Sequence, residues 1–315
     1  MWNFNNYGIL NNNNFYNSLI VSPVCRLYFI LLFITMAKLI DFINIAKEVQ
    51  KRKPKSNETQ LFMHNFEYNI VKLVEEINNR TYSPTDSYAF VVTEPKPREI
   101  FATSFRNRVV HFYLYRRIMP LINQELTSRS YNNRIGYGTY KAILRVRKDI
   151  YELSAGFTED CYIMKTDIKG FFPNIKWEPV YKAMEDLILR RYTGNDIEEI
   201  LWLLKVSLYA DPASNCERKG DTSLWKLIDP NKSLFTKESG VGGAIGWLVW
   251  QMSMTYYLVT LDRRLEKITY IRFVRFVDDI IIIGKDKEKT LKVMETVRDI
   301  VKSLNCELNE SKFYF

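Results

Sequence analysis

Histidine is nearly missing from this chain: its 315 residues include two, His64 and His111. Imidazole-based acid–base chemistry and His-rich metal sites therefore have little to draw on. Cysteine is also scarce. Cys25, Cys161, Cys216 and Cys306 lie far apart with no CxxC pair. That excludes a zinc ribbon or a dense disulfide framework, and it fits a reducing, cytoplasmic setting. Acidic residues are outnumbered, 36 against 45 Lys and Arg, for a net charge of +9. Such an excess steers a protein toward phosphates or acidic surfaces, although a merely solvated basic surface has the same composition. Long apolar runs are missing too. LYFILLFIT (27–35) is shorter than a bilayer requires, and extending it backwards meets Arg26 and Pro23.

What is present is globular: 47% apolar and 26% charged residues, long enough for one large core or for subdomains sharing one. Residues 1–35 differ from the rest, rich in Asn, Tyr and Phe with Arg26 as their only charge. They lack the basic segment of a signal peptide. They read as a leader, with Met36 a plausible start and a membrane anchor as the competing reading. No stable membrane partner is expected.

From Met36 to Arg80, apolar residues recur at three- and four-residue spacing in LIDFINIAKEV and FEYNIVKLVEEINN, which predicts helices. Ser56 or Asn57 is placed to start the second. YAFVV and EIFA change to a strand period around a Pro-punctuated turn. FRNRVVHFYLYRRIMPLINQEL returns to helix. YKAILRVRKDIYEL is amphipathic, with Lys141, Arg145 and Lys148 on one face and Ala142, Ile143, Val146 and Ile150 left for the core. A basic stripe of this kind is equally a solvated face. CYIMKTDIKGFFPNI then reads as a strand entering a polar turn, VYKAMEDLILRRY as a helix, and Asp211 to Gly240 as irregular. GWLVWQMSMTYYLVTLDRRLEKI reads as one apolar helix, YIRFVRFVDDIIIIGK as a hairpin, and EKTLKVMETVRDIVKSLN as a helix. CELNESKFYF begins another strand. This order predicts an α+β fold whose sheet carries helices on one side.

Three carboxylates stand out. Asp167 ends the strand YIMKTD and, alone, would be a cap or turn residue. Asp278 and Asp279 in RFVDDIIIIG would, alone, be a turn, yet neither is followed by the Gly or Asn a tight turn prefers. Two strand ends delivering three carboxylates to one place create a cluster that repels itself unless cations compensate. Hard oxygen ligands of this type select Mg²⁺, with Mn²⁺ the alternative. Two such ions together serve nucleotidyl transfer.

At this point the residues resemble a known family. KTDIKGFFPNI is similar to the first palm motif of reverse transcriptases, and FVDD to their Tyr-x-Asp-Asp signature, with Phe276 where Tyr is usual. KPREI followed by RNRVVHFYL resembles the fingers motif, and RIGYGTYKAI the Gly-rich segment before a helix. GGAIGWLVWQMSMTYYLVTLD resembles a bacterial pattern, Gly-Leu-Pro-Ile-Gly-Asn-Leu-Thr-Ser-Gln running on to Tyr-Leu-x-x-Leu-Asp. Gly242, Ile245, Gly246, Leu248, Gln251, Tyr257, Leu258, Leu261 and Asp262 match it. That version is closest to the enzymes of diversity-generating retroelements. Ala244, Trp247 and Trp250 depart from it, and two indoles beside the nascent base pair would alter template placement.

The resemblance covers residues 81–315 and implies a right-hand polymerase. Residues 36–80 would be N-terminal helices, 81–160 fingers, 161–186 palm, 187–238 a fingers insertion and 239–315 palm. The antiparallel palm sheet would be backed by helices, with the usual thumb absent or truncated. Asp167, Asp278 and Asp279 would hold two Mg²⁺ ions, helped by the backbone carbonyl of Ile168. Lys312 would donate a proton to pyrophosphate. Lys96 and Arg98 would clamp a dNTP triphosphate, Phe172 would exclude a 2′-hydroxyl, and Gly246 and Gln251 would line the template pocket. Arg106, Arg108, Arg116, Arg117, Lys141, Arg145 and Lys148 would meet the phosphates of an RNA template and its DNA or RNA primer. An accessory protein is compatible with this picture. The implied activity is RNA-directed DNA synthesis. Template-independent or protein-primed synthesis of the antiphage-defence or retron kind, and an inactive RNA-binding fold, are the competing readings.

Overall fold

The structure, a computed structural model, describes residues 23–315 apart from Asp86, so the first 22 residues of the expected leader lie outside the described residues. Residues 23–35 open a long helix, α1 (Pro23–Arg52), which is followed by α2 (Asn57–His64) and α3 (Phe66–Asn78). The Ser56 side chain accepts from the Thr59 amide and so caps α2, as its position implies. No described helix is long and apolar enough to cross a membrane.

The strands β1 (Ser87–Val92) and β2 (Arg98–Thr103) pair antiparallel, in register from Ser87–Thr103 to Val92–Arg98. Ser104 then caps α4 (Phe105–Glu125) by accepting from Asn107. Next come α5 (Thr139–Leu153), β3 (Tyr162–Thr166), the single turn α6 (Phe171–Asn174), α7 (Trp177–Arg191) and α8 (Ile197–Leu208). The stretch 211–240, expected to be irregular, contains β4 (Cys216–Arg218), which adds to β1 in parallel and makes a mixed sheet β2–β1–β4. One buried carboxylate anchors three residues of its remainder. Glu99 of β2 accepts from Ser233 Oγ at 2.5 Å, the Leu234 amide at 2.9 Å and Trp225 Nε1 at 3.0 Å.

The expected single apolar helix is two, α9 (Leu248–Tyr257) and α10 (Val259–Glu266), with Leu258 between them. The hairpin β5 (Ile271–Phe276) and β6 (Asp279–Gly284) joins β3 in an antiparallel sheet of order β3–β6–β5. Asp286 caps α11 (Lys287–Ser303). The last segment is less regular than a strand. It meets β3 through two bridges, Ile168–Leu308 and Lys165–Tyr314, with a short 3₁₀ turn over Glu310–Lys312.

Side-chain alternation makes the palm sheet two-sided. Met164, Ile271, Phe273, Ile280 and Ile282 join the main core, to which α10 and α11 contribute. The opposite face carries Val274 and Phe276, and these pack against Ala142 and Val146 of α5. Helices therefore lie on both faces rather than one. The buried side of α5 is also rotated from expectation: Ala142 and Asp149 are buried, whereas Ile143 is 60% exposed. The reason is electrostatic. The Asp149 carboxylate is buried because Arg129 and Arg145 both neutralise it.

Candidate active site

The β3 and β6 register brings the three carboxylates to one end of the sheet. Asp167 follows β3, while Asp278 and Asp279 form the turn into β6, where Asp279 faces Phe276 across the hairpin. The turn is strained: Val277 has φ +58, a left-handed conformation that β-branched residues rarely adopt. The flanking isoleucine strand thus spares the aspartates a glycine neighbour but does not relieve the turn itself.

Burial pushes the Asp278 carboxyl up to about 6, aided by the neighbouring charges of Asp279 and Asp167. Asp167 is buried, and its Oδ1 has no hydrogen-bond partner. Its Oδ2 accepts from Lys312 Nζ, and that bond raises the Lys312 ammonium above its ordinary value. Asp279 is half-exposed and pairs with Lys165 at 3.3 Å. Two ammonium groups thus offset part of the charge of the three carboxylates. Among the described residues no three acidic, His or Cys side chains are grouped so as to hold a metal ion. The orphaned Asp167 oxygen and the mutually repelling pair beside it still fit a hard cation. The expected carbonyl ligand, Ile168, lies in the bridge to Leu308, whose two bonds use the Asp167 and Glu307 carbonyls rather than its own.

A backbone path links the residues expected to face the substrate. Phe172 is half-buried beside the buried Phe171, at 5.9 Å between ring centroids. Its carbonyl accepts from the Gly243 amide at 2.8 Å. Two residues on, the Ile245 carbonyl accepts from the Phe101 amide at 2.8 Å. This bond pins the segment to β2, whose first residue is Arg98. Gly246, expected to let a template base approach, allows this backbone contact. Its φ is +116, and a Cβ there would lie 2.4 Å from the Phe101 carbonyl oxygen. Lys96 and Arg98 are exposed at the hairpin end, and neither joins an ion pair among the described residues. Gln251 is half-buried on α9, where its carbonyl accepts from Asn133 at 3.0 Å.

The basic candidates divide into two groups. Arg106 binds Glu76 and the Ser83 carbonyl and stacks on Tyr82; burial lowers its guanidinium to about 10. Arg108 faces Glu58, while Arg116 and Arg117 face Glu48 and Asp41. These four are committed to internal acidic partners, because α4 packs between the N-terminal helices and the core. On α5, Lys141 and Lys148 are exposed and Arg145 half-exposed, around a groove of about 460 Å³ also lined by Tyr131, Tyr137 and Leu144. Trp247 and Trp250 are core residues, not neighbours of a base pair. Trp247 packs on His111 at 5.5 Å, and Trp250 fills the space beside Gly243.

The sequence reading missed Arg275, which is fully buried beneath the turn and paired with Asp262. The only signal was an arginine placed inside an apolar strand.

Residues 94–315 match the model of the family described as reverse transcriptase (RNA-dependent DNA polymerase). Among solved structures, apo telomerase from Candida tropicalis shares a TM-score of 0.48 at 11% identity, over 73% of this chain and 43% of that one. The same telomerase truncated from its C-terminal domain gives 0.49 at 13%, over 74% and 50%. Telomerase from Candida albicans in complex with a TWJ fragment of telomeric RNA gives 0.48 at 11%, over 75% and 43%. The chain spans half or less of the length of these structures, and the likeness is too remote to transfer any property. No curated protein matches. The family model covers well over half of the chain, including all three carboxylates, Lys96, Arg98 and Lys312, and the chain belongs to the reverse transcriptase (RNA-dependent DNA polymerase) family.

Proposed function

We propose that this protein is an RNA-directed DNA polymerase that extends a primer 3′-hydroxyl with dNTPs copied from an RNA template. The observation that carries the reading is the meeting of Asp167, Asp278 and Asp279 with Lys312 at one end of the palm sheet, in a chain of this family. Asp167, Asp278 and Asp279 would hold Mg²⁺, which when bound lowers the pKa of the attacking hydroxyl and neutralises developing phosphate charge. Lys96 and Arg98, projecting from the fingers hairpin, bind and orient the triphosphate through charge-assisted hydrogen bonds. Phe172 bounds the sugar site and disfavours a 2′-hydroxyl. Lys312, bonded to Asp167 here, would release it and hand a proton to the leaving pyrophosphate. Lys141, Arg145 and Lys148 meet the phosphates of the template–primer duplex, reading backbone rather than sequence.

Within the family, the run from Gly242 to Asp262 favours an enzyme of a diversity-generating retroelement. The departures at Trp247 and Trp250 do not weigh against this, since both indoles are structural. A pair of near-identical repeats close to the gene, differing mainly at adenines, is expected; their absence would turn the assignment toward retron or defence relatives.

Primer extension on an RNA template with dNTPs and Mg²⁺ tests the main reading. Extension that is lost in Asp278→Asn supports it. DNA made without template would favour the defence-type reading, and RNA binding without synthesis under Mg²⁺ or Mn²⁺ would favour an inactive fold.

A further inference from the structure

Arg275 sits in β5 with no exposed surface, and acceptors surround its guanidinium. Nε and Nη2 grip the two Asp262 oxygens at 2.6 Å each. Nη2 also reaches Ser130 Oγ at 3.0 Å and the Thr255 carbonyl at 3.3 Å. Nη1 donates to the Val277 carbonyl at 2.9 Å and lies 3.5 Å from Asn132 Oδ1. All five N–H groups thus have a partner, the condition under which a buried guanidinium is tolerated at all.

Stability alone gives a weak reason for this arrangement, because a buried ion pair replaced by packed apolar residues is often no less stable. What an apolar residue lacks is a donor for the Val277 carbonyl. Val277 is the strained position of the turn, and the next two residues are Asp278 and Asp279. Backbone held in such a conformation persists only where its surroundings over-determine it.

We infer that Arg275 is a positioning residue: by holding the Val277 carbonyl it fixes the angle at which the turn presents Asp278 and Asp279. The same bonds tie the turn to the helix of the template pocket. Asn132 Nδ2 donates to Thr255 Oγ1 at 2.7 Å, and Thr255 Oγ1 donates to the Gln251 carbonyl at 2.8 Å. The carboxylate turn and the backbone beneath Gln251 are therefore set by one polar network. This role rests on the polymerase reading above.

Two variants test it, each measured by steady-state primer extension and by hydrogen exchange of the amides at 277–280. Arg275→Lys keeps a charge opposite Asp262 but loses the planar fork that reaches Val277 at the same time. Asn132→Ser loosens the network, removing one acceptor of the guanidinium, while both members of the Arg275–Asp262 ion pair stay in place. Per folded molecule, Arg275→Lys is expected to lower kcat by about 10- to 100-fold. Its dNTP KM should change by less than about twofold, the mark of an effect on the transition state rather than on binding. Asn132→Ser should follow with a smaller loss, and in both the turn amides should exchange faster while those of α11 do not. An unchanged kcat per folded molecule overturns the inference whatever the exchange shows. If Arg275→Lys does not fold, Asn132→Ser decides on the same terms. Exchange is read without substrate, so an inactive wild type with a well-protected turn would count against the polymerase reading and not against the geometry.

Discussion

Gly246 illustrates how much one missing methyl group governs here. Its φ of +116 and the Phe101 carbonyl 2.4 Å from where a Cβ would sit leave alanine no place without moving β2. Gly246→Ala is expected to destabilise the fold by about 1–3 kcal/mol, read from the urea midpoint. It should also displace Arg98 and raise the dNTP KM; an unchanged midpoint would mean that the contact yields freely. His111 is the second informative residue. Buried against Trp247 with neither ring nitrogen bonded, it is pushed down to about 3. An unfolded histidine protonates near 6.5, so between those values the unfolded state holds more protons, and stability falls as pH drops through this window. Asp278, raised to about 6, works the other way, because its folded form holds the extra proton. His111→Phe should abolish the first effect and leave the second. Wild type minus variant should then show a slope of up to about 1.4 kcal/mol per pH unit between pH 6 and 4. A flat difference would mean that His111 finds a partner in solution.

At the scale of elements, the hairpin was the most legible part of the chain. Apolar residues on both sides of the paired aspartates mark two strands buried on both faces, and β5 and β6 begin and end close to where the pattern says. The face of α5 was not legible. Periodicity assigned Ile143 to the core, but the buried position is Asp149, whose carboxylate is neutralised by Arg129 from a distant loop. A pattern of apolar residues cannot announce a buried ion pair. For the same reason the cations of α4 looked available while Glu48, Asp41, Glu58 and Glu76 already held them. What remains exposed on α5 makes a prediction of its own. Lys141→Gln with Lys148→Gln should weaken template–primer binding and flatten the plot of log affinity against log salt by about two counterions. Arg106→Gln should leave that slope unchanged while lowering stability.

At the scale of the molecule, fingers and palm share a core. One cluster of buried side chains runs from Phe42 of α1 through Phe101 of β2 and Trp250 of α9 to Val301 of α11. The backbone bond between Phe101 and Ile245 crosses between the two parts. A chain of this size often unfolds through intermediates, but that continuity predicts a single transition. Tryptophan fluorescence and far-ultraviolet circular dichroism should give coincident urea curves; separated midpoints would mean that the fingers come loose first. The order of motifs along the sequence made the overall architecture legible. The two faces of the palm sheet were not, since both apolar faces look alike until α5 is seen lying across one of them.

The four isoleucines of β6 offer a way to watch that sheet at work. Ile280 and Ile282 are sealed against the main core, while Ile281 and Ile283 point to the opposite face and Ile281 retains solvent contact. Selective methyl labelling would thus place adjacent nuclear magnetic resonance reporters on opposite sides of one strand. Shifts at Ile281 without shifts at Ile282 would mark an event on the α5 side of the sheet, and the reverse would mark repacking of the core.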